Sequence, residues 1–484
     1  MRLPHAASRI EDERADRALR IVNALAVNAP HYSALRRLTG DQLLWLYAAA
    51  TLVLLALTVS PRMTASLIVA VLALVFLASF VYKAVLFFLG SAPLPDPTPP
   101  PVPDETLPIY SVLVPLYREA AVVPALMRAL LALDYPPGKL DIRLVVEDDD
   151  AQTQAALVRT VLPAHFSLVR VPTVGPRTKP KALALALEDA RGAFVVVFDA
   201  EDHPEPGQLR MALARFAALG PKTVCLQARL NFFNARENWL TRLFAIDYCL
   251  WFDALLRGLE RLGAPLPLGG TSNHFRRAAL SAMGAWDPYN VTEDADLGFR
   301  IAREGLLVRT LNSTTFEEAP TRLRPWLAQR ARWIKGYLQT YFVHMRTPRR
   351  LLAEAGWRGV ITLHLFLLGT VLAGLVTPFL WLLFIGWIVT GDGLLSGFTG
   401  GALLLVSLVG LVAGNALLIF LSLLAPLRRG WLHLVPYALS VPLYWLMVSL
   451  ASWGALFEFL FRPHYWAKTP HGLTGFAAGA REAR

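Results

Sequence analysis

Cysteine is nearly missing from this sequence, since Cys225 and Cys249 are the only two among 484 residues. Two cysteines make no disulfide framework, and their spacing excludes a C-x-x-C site. We therefore expect two reduced, buried thiols. The sequence also lacks an H-E-x-x-H motif, a Walker loop and a G-x-G-x-x-G fingerprint. These absences remove the usual signatures of zinc hydrolases, P-loop NTPases and dinucleotide-binding enzymes.

Charge is scarce as well. Asp, Glu, Lys and Arg make up 17% of the residues and apolar residues 55%, and the mean hydropathy is +0.43. This composition excludes a disordered chain and argues against a purely soluble protein. The net charge of +11 fits either nucleic-acid binding or the positive-inside bias of a membrane protein. Long apolar segments favour the second interpretation, so we expect no nucleic-acid partner.

Charged residues are absent from several segments long enough to cross a bilayer, which takes ~20 residues. Two such segments predict an N-terminal hairpin, and three more follow the last basic cluster. The predicted spans are 43–59, 64–82, 361–388, 401–425 and 435–459. A proline-dense stretch after the hairpin predicts a stiff linker.

Composition divides the chain into a cytoplasmic arm, a transmembrane hairpin, the linker, an α/β domain, amphipathic interfacial helices, C-terminal transmembrane helices and a tail. These parts are 1–41, 42–90, 91–107, 108–322, 323–358, 359–461 and 462–484. The 391–400 loop has no Lys or Arg, whereas Arg428 and Arg429 follow the next span, which predicts a cytoplasmic α/β domain. Because no cleaved signal peptide is recognisable, we expect a multi-pass protein of the inner (plasma) membrane. Five spans place the tail outside, whereas its Arg462 and Lys468 suit the cytoplasm, so both placements stay open.

Within 108–322, short β-like runs alternate with helical patterns, which predicts an α/β domain with a mostly parallel sheet. Such sheets carry their chemistry at the carboxyl ends of the strands, and acidic residues follow two predicted strands, at 147–150 and 199–202. Asp199 and its neighbours have the carboxylates that Mg²⁺ prefers, or form a polar turn that caps a helix. The cluster at 147–150 has two interpretations. Its carboxylates can accept hydrogen bonds from a nucleotide base or ribose, or Asp150 can cap the next helix.

Two later motifs combine charge with a helix. Thr292-Glu293-Asp294 offers a general base or a helix N-cap. In the 329–333 motif QRARW, Gln329 and Arg332 share one helix face, where Arg332 can face a leaving diphosphate and Trp333 a sugar ring. A basic amphipathic helix at the membrane surface explains the same residues.

Two loops indicate a function less specifically than these motifs do. The basic loop 177–181 suits phosphates or is a solvated charge run, and the 269–272 loop GGTS allows close backbone approach or forms a simple turn.

In this order, DAED at 199, GGTS at 269, TED at 292 and QRARW at 329, framed by apolar helices, resemble the membrane-integrated family 2 glycosyltransferases. These include cellulose, chitin, hyaluronan and poly-N-acetylglucosamine synthases. The resemblance covers about residues 108–345. It implies an α/β GT-A-type nucleotide-sugar transferase domain inserted between transmembrane α-helices. It also implies metal-dependent, inverting transfer from a UDP-sugar to a growing β-linked polysaccharide.

The resemblance implies a role for each matching residue. Asp294 is the expected general base, with Glu293 and Arg332 beside it in the catalytic centre. Asp199 and Glu201 are the expected ligands of Mg²⁺ or Mn²⁺; Glu201 stands where the family has Asp, and Asp202 is its alternative. The expected donor-binding residues are Tyr117, Glu119, Asp148, Asp149, Lys179, Asp199 and Gln329. The expected acceptor-binding residues are Gln227, Thr271 and Trp333.

Three functions stay open. The first is a processive polysaccharide synthase that also helps to translocate its product. The second is transfer of one or a few sugars to a lipid-linked acceptor. The third is an inactive membrane scaffold, whose mark would be loss of Asp199, Asp294 or Arg332, and all three are present. The expected partners are the UDP-sugar, the acceptor, membrane lipids and a regulatory or export protein, and the identity of the sugar stays open.

Overall fold

The structure is a computed structural model that describes residues 4–92, 103–390, 401–466 and 468. Eight strands form one sheet: β1 Tyr110–Leu116, β2 Leu140–Glu147, β3 Phe166–Val171, β4 Phe194–Val197, β5 His203–Pro204, β6 Thr223–Phe232, β7 Asn273–Arg276 and β8 Leu307–Glu317.

The helices of the described chain run from the N-terminal arm to the last apolar span. They are α1 Pro4–Asn28, α2 Gly40–Val59, α3 Pro61–Gly90, α4 Val123–Leu131, α5 Ala151–Val158, α6 Lys179–Glu188, α7 Gln208–Leu219, α8 Trp239–Leu250, α9 Leu256–Leu262, α10 Arg277–Ala282, α11 Glu293–Arg303, α12 Leu323–His344, α13 Pro348–Ile361, α14 Gly369–Thr390, α15 Gly401–Arg428 and α16 Val441–Phe461. Parts of the predicted linker and tail, and the 391–400 loop used for orientation, lie outside the described residues.

The sheet confirms the predicted α/β class. Its strand order is β3-β2-β1-β4-β7-β6-β8-β5. The strands β3, β2, β1 and β4 are parallel neighbours, while β7 is antiparallel to both β4 and β6. The sheet is therefore mixed rather than mostly parallel. Because β7 follows the GGTS loop and runs against β4, it brings that loop to the edge where β1 and β4 end.

Each face of the sheet has its own core, as the alternation of side chains along a strand requires. Val112 and Val114 of β1 point into the cluster that α4 covers. Leu113 points into the opposite cluster, which includes Leu183 of α6 and continues to Phe87 of α3. The second core thus joins the sheet to the apolar helices.

Five helical stretches are long and apolar enough to cross a membrane by length and composition: Gly40–Val59, Pro61–Gly90, Pro348–Thr390, Val409–Arg428 and Leu432–Phe461. They coincide with the five predicted spans. In the last stretch Pro436 lies in a 3₁₀ segment, Leu432–Ser440, and Pro442 opens α16. Proline lacks an N–H, which explains why the regular helix begins only there.

The QRARW motif lies on α12, which packs between the α/β domain and α16. Lys335 of α12 donates to Glu458 of α16 over 2.7 Å, and Phe342 stacks on Phe459 with 5.6 Å between ring centroids. Trp326 and Ile334 are buried. This helix therefore links the sheet to the apolar bundle through its own side chains.

Candidate active site

One cavity of about 1320 Å³ begins at the carboxyl ends of β1 and β4 and continues between α3, α14, α15 and α16. Most of the predicted site residues line it, although they come from distant parts of the chain. These are Tyr117, Glu119, Lys179, Asp199, Glu201, Thr271, Glu293, Asp294, Gln329, Arg332 and Trp333. The fold thus places the predicted donor, metal and catalytic residues around a single space.

Three predicted site residues do not line the cavity. Asp148 and Asp149 are exposed and pair with Arg14 and Arg177, over 3.4 and 2.9 Å. Gln227 is buried and holds the GGTS loop instead: its Nε2 donates to Thr271 O over 3.0 Å, and its Oε1 accepts from Gly269 N over 2.7 Å. It is therefore placed to position the loop rather than to touch an acceptor.

The acidic cluster after β2 has a structural role for two of its members. Asp150 caps α5 by accepting from Thr153 N over 3.2 Å. Glu147 lines the cavity and pairs over 2.9 Å with Lys181, whose side chain is fully buried. The basic stretch 177–181 is therefore only partly solvated: Arg177 is exposed, whereas Lys181, inside α6, is buried in this ion pair.

In the acidic turn 199–202, the side chains of Glu201 and Asp202 point in different directions. Asp202 does not line the cavity. Its Oδ2 accepts hydrogen bonds from Asp199 N, over 2.7 Å, and from the Thr271 hydroxyl. Glu201 lines the cavity beside Asp199. Because Asp202 is held by backbone and hydroxyl donors, Glu201 is the better placed second carboxylate.

Carboxylates are crowded at this end of the cavity. Burial raises the pKa of Glu201 well above its ordinary range, and the charges of Asp199 and Glu119 raise it further. Burial also raises the pKa of Glu317 at the end of β8, a cavity residue that sequence reasoning missed although it follows a strand as Asp199 does. Such crowding is unfavourable unless a cation offsets it.

The donor set suits a divalent metal ion that is shared with a ligand. Among the described residues, no group of three or more His, Cys, Asp or Glu side chains has metal-binding geometry. Mg²⁺ commonly takes only one or two carboxylates and completes its shell with waters and substrate phosphates. Asp199 and Glu201 match that arrangement. Lys179 donates to Asp199 and, over 2.6 Å, to Gly270 O, so it adds a cation at the same edge.

Asp294 lies at the start of α11 and faces this edge. A Cβ added to Gly270 would lie 3.3 Å from Asp294 Oδ2 and 3.7 Å from Lys179 Nζ, so the glycine loop passes close to both groups. Burial raises the pKa of Asp294 to about 6. Burial and the charge of Asp294 raise the pKa of Glu293 to about 8. Thr292 makes no side-chain capping bond to α11, which disfavours the N-cap interpretation of this motif.

In the described part of the chain, three residues of QRARW have a buried polar atom without a partner: Gln329, Arg330 and Arg332. The atoms of Gln329 and Arg332 concern the acidic end of the cavity. Within the described structure, Gln329 Oε1 and Arg332 Nε are buried without a hydrogen-bond partner. The carboxylates of Glu293, Asp294 and Asp199 all act on the Arg332 guanidinium. Buried polar atoms normally have partners, so these two atoms mark places where a bound ligand would complete the hydrogen bonding.

Arg330 of the same motif does not extend to the surface, as the surface-helix interpretation would require. It pairs with Asp247 of α8 and lies over the rings of Phe244 and Trp333, at 4.6 and 4.9 Å from their centroids. The motif is therefore split between Arg332 at the catalytic edge and Arg330 in an aromatic cage.

The C-terminal segment after α16 reaches the donor side of the cavity. Lys468 pairs with Glu119 over 2.7 Å and donates to the carbonyls of Tyr117 and Arg118. Arg332 lies 4.4 Å from the Trp466 ring centroid. No local sequence pattern links this segment to the loop after β1, and only the fold brings them together.

Comparison with known proteins places these residues in a family context. Residues 108–336 match the sequence model described as "Glycosyltransferase like family 2". A β-monoglucosyldiacylglycerol synthase of Trichormus variabilis is 28% identical over 49% of this chain and 50% of its own. A probable glucomannan 4-β-mannosyltransferase of Arabidopsis thaliana is 29% identical over 48% of this chain and 43% of its own. The chain spans about half the length of the curated relatives it matches.

Among solved structures, a mannosyltransferase of Pyrobaculum calidifontis in complex with GDP-mannose and Mn²⁺ superposes with a TM-score of 0.49 at 20% identity. The match covers 81% of this chain and 99% of that one.

Proposed function

We propose that this chain transfers a hexose from a UDP-sugar to a hydroxyl of a membrane lipid, with inversion. The match of residues 108–336 to the family 2 glycosyltransferase model supports the reaction class. One observation carries the proposal: the cavity that holds Asp294, Arg332 and Asp199 continues without interruption between the apolar helices. Donor chemistry and a membrane-embedded acceptor therefore meet in one space.

The donor end has the charges that a nucleotide diphosphate needs. Asp199 and Glu201 would hold Mg²⁺ or Mn²⁺, which when bound neutralises the diphosphate of the leaving group. Arg332 is a fixed cation at the same edge, and Tyr117 and Glu119 line the side reached by the loop after β1. Asp148 and Asp149 stay candidates for contact with the nucleoside, although they lie outside the cavity lining.

Asp294 supplies the base. Its carboxylate takes the proton of the acceptor hydroxyl, whose oxygen bonds to the anomeric carbon while the bond to the diphosphate breaks. The electron pair leaves with the diphosphate, which Arg332 helps to neutralise. A single displacement inverts the anomeric configuration, so an α-linked donor gives a β-linked product.

The acceptor end favours a lipid. Side chains of Leu382, Ile385 and Ile419 line it, and three hydroxyl groups there already donate a hydrogen bond within their own helices. Thr370, Ser422 and Ser449 each donate to the carbonyl four residues earlier in their own helix, over 2.7 to 3.0 Å. A hydrated glycan chain needs free polar partners along its path, whereas an acyl or prenyl chain needs none.

A second candidate is the processive polysaccharide synthase that the sequence motifs favour. Trp333, Trp381 and Trp445 line the cavity from the catalytic end to the apolar end. Flat aromatic faces at intervals suit stacking of successive sugar rings. We place the domain on the cytoplasmic side of an inner membrane in either case, following the predicted charge asymmetry of the loops.

The full chain in lipid nanodiscs tests the proposal. UDP release is measured with UDP-glucose, UDP-N-acetylglucosamine, UDP-galactose or UDP-glucuronate, with Mg²⁺ or Mn²⁺ and with excess chelator. We expect one donor to be used, and Asp294→Asn to lower kcat by ~10²–10⁴-fold, the usual contribution of a general base. Asp134→Asn, at an exposed carboxylate distant from the cavity, is the matched control.

The product separates the two candidates. A lipid-extractable product with one or a few sugars supports the lipid acceptor, and a long water-soluble or precipitating glycan supports the polymer. No transfer from any donor in nanodiscs or in native membranes would contradict both.

A further inference from the structure

Lys83 is the one charged residue in the interior of the apolar helix α3, whose other charged residue, Arg62, lies at its start. Between Arg62 and Asp96 the sequence has no other Asp, Glu, Lys or Arg. Lys83 lines the cavity, and Phe80, three residues earlier on the same helix face, lines it too. Ionisable residues in membrane-spanning helices are costly, and they usually face a pathway or a partner.

The packing of α3 fixes this orientation. Near its end, Gly90 lies directly against the backbone of Ala254, and Leu86 lies against Gly258, so that a Cβ on either glycine would overlap backbone atoms. Next to Lys83, the Tyr82 hydroxyl shares a 2.7 Å hydrogen bond with the Thr362 hydroxyl. The helix cannot rotate to carry Lys83 into the surrounding lipid without breaking these contacts.

Lys83 lies toward the end of α3 that packs on the α/β domain. It lies seven residues before the end of the helix at Gly90, which corresponds to ~10 Å at the helical rise. Gly90 itself packs on the α/β domain. If the apolar helices span a bilayer, this end of α3 is the end nearest the headgroups on the side of the α/β domain.

The carboxylate that acts on Lys83 is already neutralised. This group is Asp247, which pairs with Arg330 and also accepts from the Tyr444 hydroxyl over 3.3 Å. In the described part of the chain, the Lys83 ammonium has no acceptor at hydrogen-bond distance. Two cations and one carboxylate therefore leave about one uncompensated positive charge in an apolar space, and an anion would compensate it.

Tyr337 connects this cation to the catalytic end. It lines the cavity and stacks on Trp251, with 6.4 Å between ring centroids. Burial raises the pKa of Tyr337, and the carboxylates of Asp294 and Asp247 both raise it further, so its hydroxyl lies within electrostatic reach of both groups. Asp294, Tyr337 and Lys83 all line this one cavity, so a ligand bound in it has access to all three.

We propose that Lys83 binds the phosphate of an anionic lipid whose hydroxyl is presented to Asp294. The inference rests on the proposed lipid acceptor and specifies its chemistry: a phosphate ester with a free hydroxyl on the polar side and hydrocarbon chains in the apolar cavity. A glycerophospholipid and a sugar linked to a polyprenyl diphosphate share this chemistry. A neutral diacylglycerol lacks it.

Binding is tested without turnover, on the full chain in detergent. The probes are dioctanoyl phosphatidylglycerol, a short-chain polyprenyl diphosphate-linked monosaccharide and neutral dioctanoylglycerol. We expect one or both anionic probes to bind more tightly than the neutral one, and Lys83→Met to weaken that binding by about tenfold, equivalent to ~1.4 kcal/mol. Lys83→Arg keeps a cation and should retain the affinity.

The control for Lys83→Met is a substitution of the other charged residue of α3. Arg62→Met removes an exposed cation at the other end of α3 and should leave lipid binding unchanged, and UDP binding reports that each variant is folded. Equal binding of the neutral and anionic probes, or anionic binding that survives in Lys83→Met, would overturn the inference.

Transfer assays then separate this inference from the proposed function. Transfer to the anionic lipid with a raised acceptor KM in Lys83→Met supports both. Lys83-dependent binding with no transfer to any lipid retains the phosphate site and overturns the proposed function. Transfer to dioctanoylglycerol that is equally efficient in wild type and Lys83→Met retains the function and overturns the phosphate site.

Discussion

Opposite charges occupy the two ends of the cavity. At the donor end, Asp199, Glu201 and Glu317 crowd together, and Lys179 offsets them only in part. Toward the membrane helices, Lys83 and Arg330 outnumber Asp247. This separation of charge within one continuous space agrees with the proposed metal ion at one end and the proposed lipid phosphate at the other.

The proposed role of Asp294 as general base predicts that activity depends on pH. Burial raises its pKa to about 6, and a general base works only in its deprotonated form. As the pH falls through about 6, the carboxylate takes up a proton, so kcat/KM should fall about tenfold per pH unit below that value. Steady-state kinetics across this range, with Asp134→Asn as control, measure the effect.

The residual rate of Asp294→Asn provides the decisive comparison. We expect its profile to be flat over the same range, because asparagine does not titrate. An acidic limb that persists in this variant would assign the ionisation to another group, with Glu293 the first to examine because burial and the charge of Asp294 raise its pKa to about 8.

At the scale of elements, α12 and the start of α11 form the catalytic edge together. Gly336 permits their contact, because a Cβ at this position would overlap the side chain of Thr292, the residue before Glu293 and Asp294. On its other side α12 is tied to α16 by the Lys335–Glu458 pair. The distance between Arg332 and Asp294 thus depends on a glycine.

We expect Gly336→Ala to separate α12 from α11 and lower kcat by ~10²-fold, the effect of a misplacement of about 1 Å in a catalytic group. Nucleotide binding and thermal unfolding of the variant measure whether the rest of the fold persists. Gly138→Ala is a matched control, since nothing lies within 4 Å of a Cβ added there. Full activity in Gly336→Ala would show that the contact is not needed for catalysis.

At the scale of the whole molecule, the domain and the apolar helices share a core as well as a cavity. Phe87 of α3 and Phe366, in the π-helical segment Thr362–Leu368, belong to the same buried cluster as Leu183 of the α/β domain. The apolar helices therefore form part of the wall of the candidate site as well as packing against the domain. Acceptor entry can be altered without contact to the donor.

A substitution of Ala416 in α15 tests whether acceptor binding can be altered separately from donor binding. It lines the apolar part of the cavity, so Ala416→Phe should fill space that the acceptor chain needs. We expect a raised KM for the lipid acceptor, by about tenfold or more, with an unchanged affinity for UDP. Ala413→Phe adds the same bulk at an exposed position outside the cavity lining. Equal effects of the two variants on acceptor KM would argue against an intramembrane acceptor site.

Much of the fold is determined locally, and the sequence predicts it for that reason. Alternating apolar runs predict β1, β2 and β4, and charge-free runs of bilayer length predict the spans, because both patterns reflect burial that every residue in the segment shares. The family motifs likewise locate Asp199, Asp294 and Arg332, and the structure brings these residues around one cavity. The antiparallel β7 is not predicted, since its direction depends on a long connection.

The sequence by itself determined the α/β class, the apolar spans and the order of the site motifs. Only the tertiary structure decided which of two adjacent carboxylates faces the cavity, because Asp202 is engaged by Thr271, far away in sequence. In the same way it withdrew Asp148 and Asp149 to surface ion pairs and turned Lys83 inward. The direction of a side chain depends on its neighbours in space, and those neighbours come from segments that no local pattern connects.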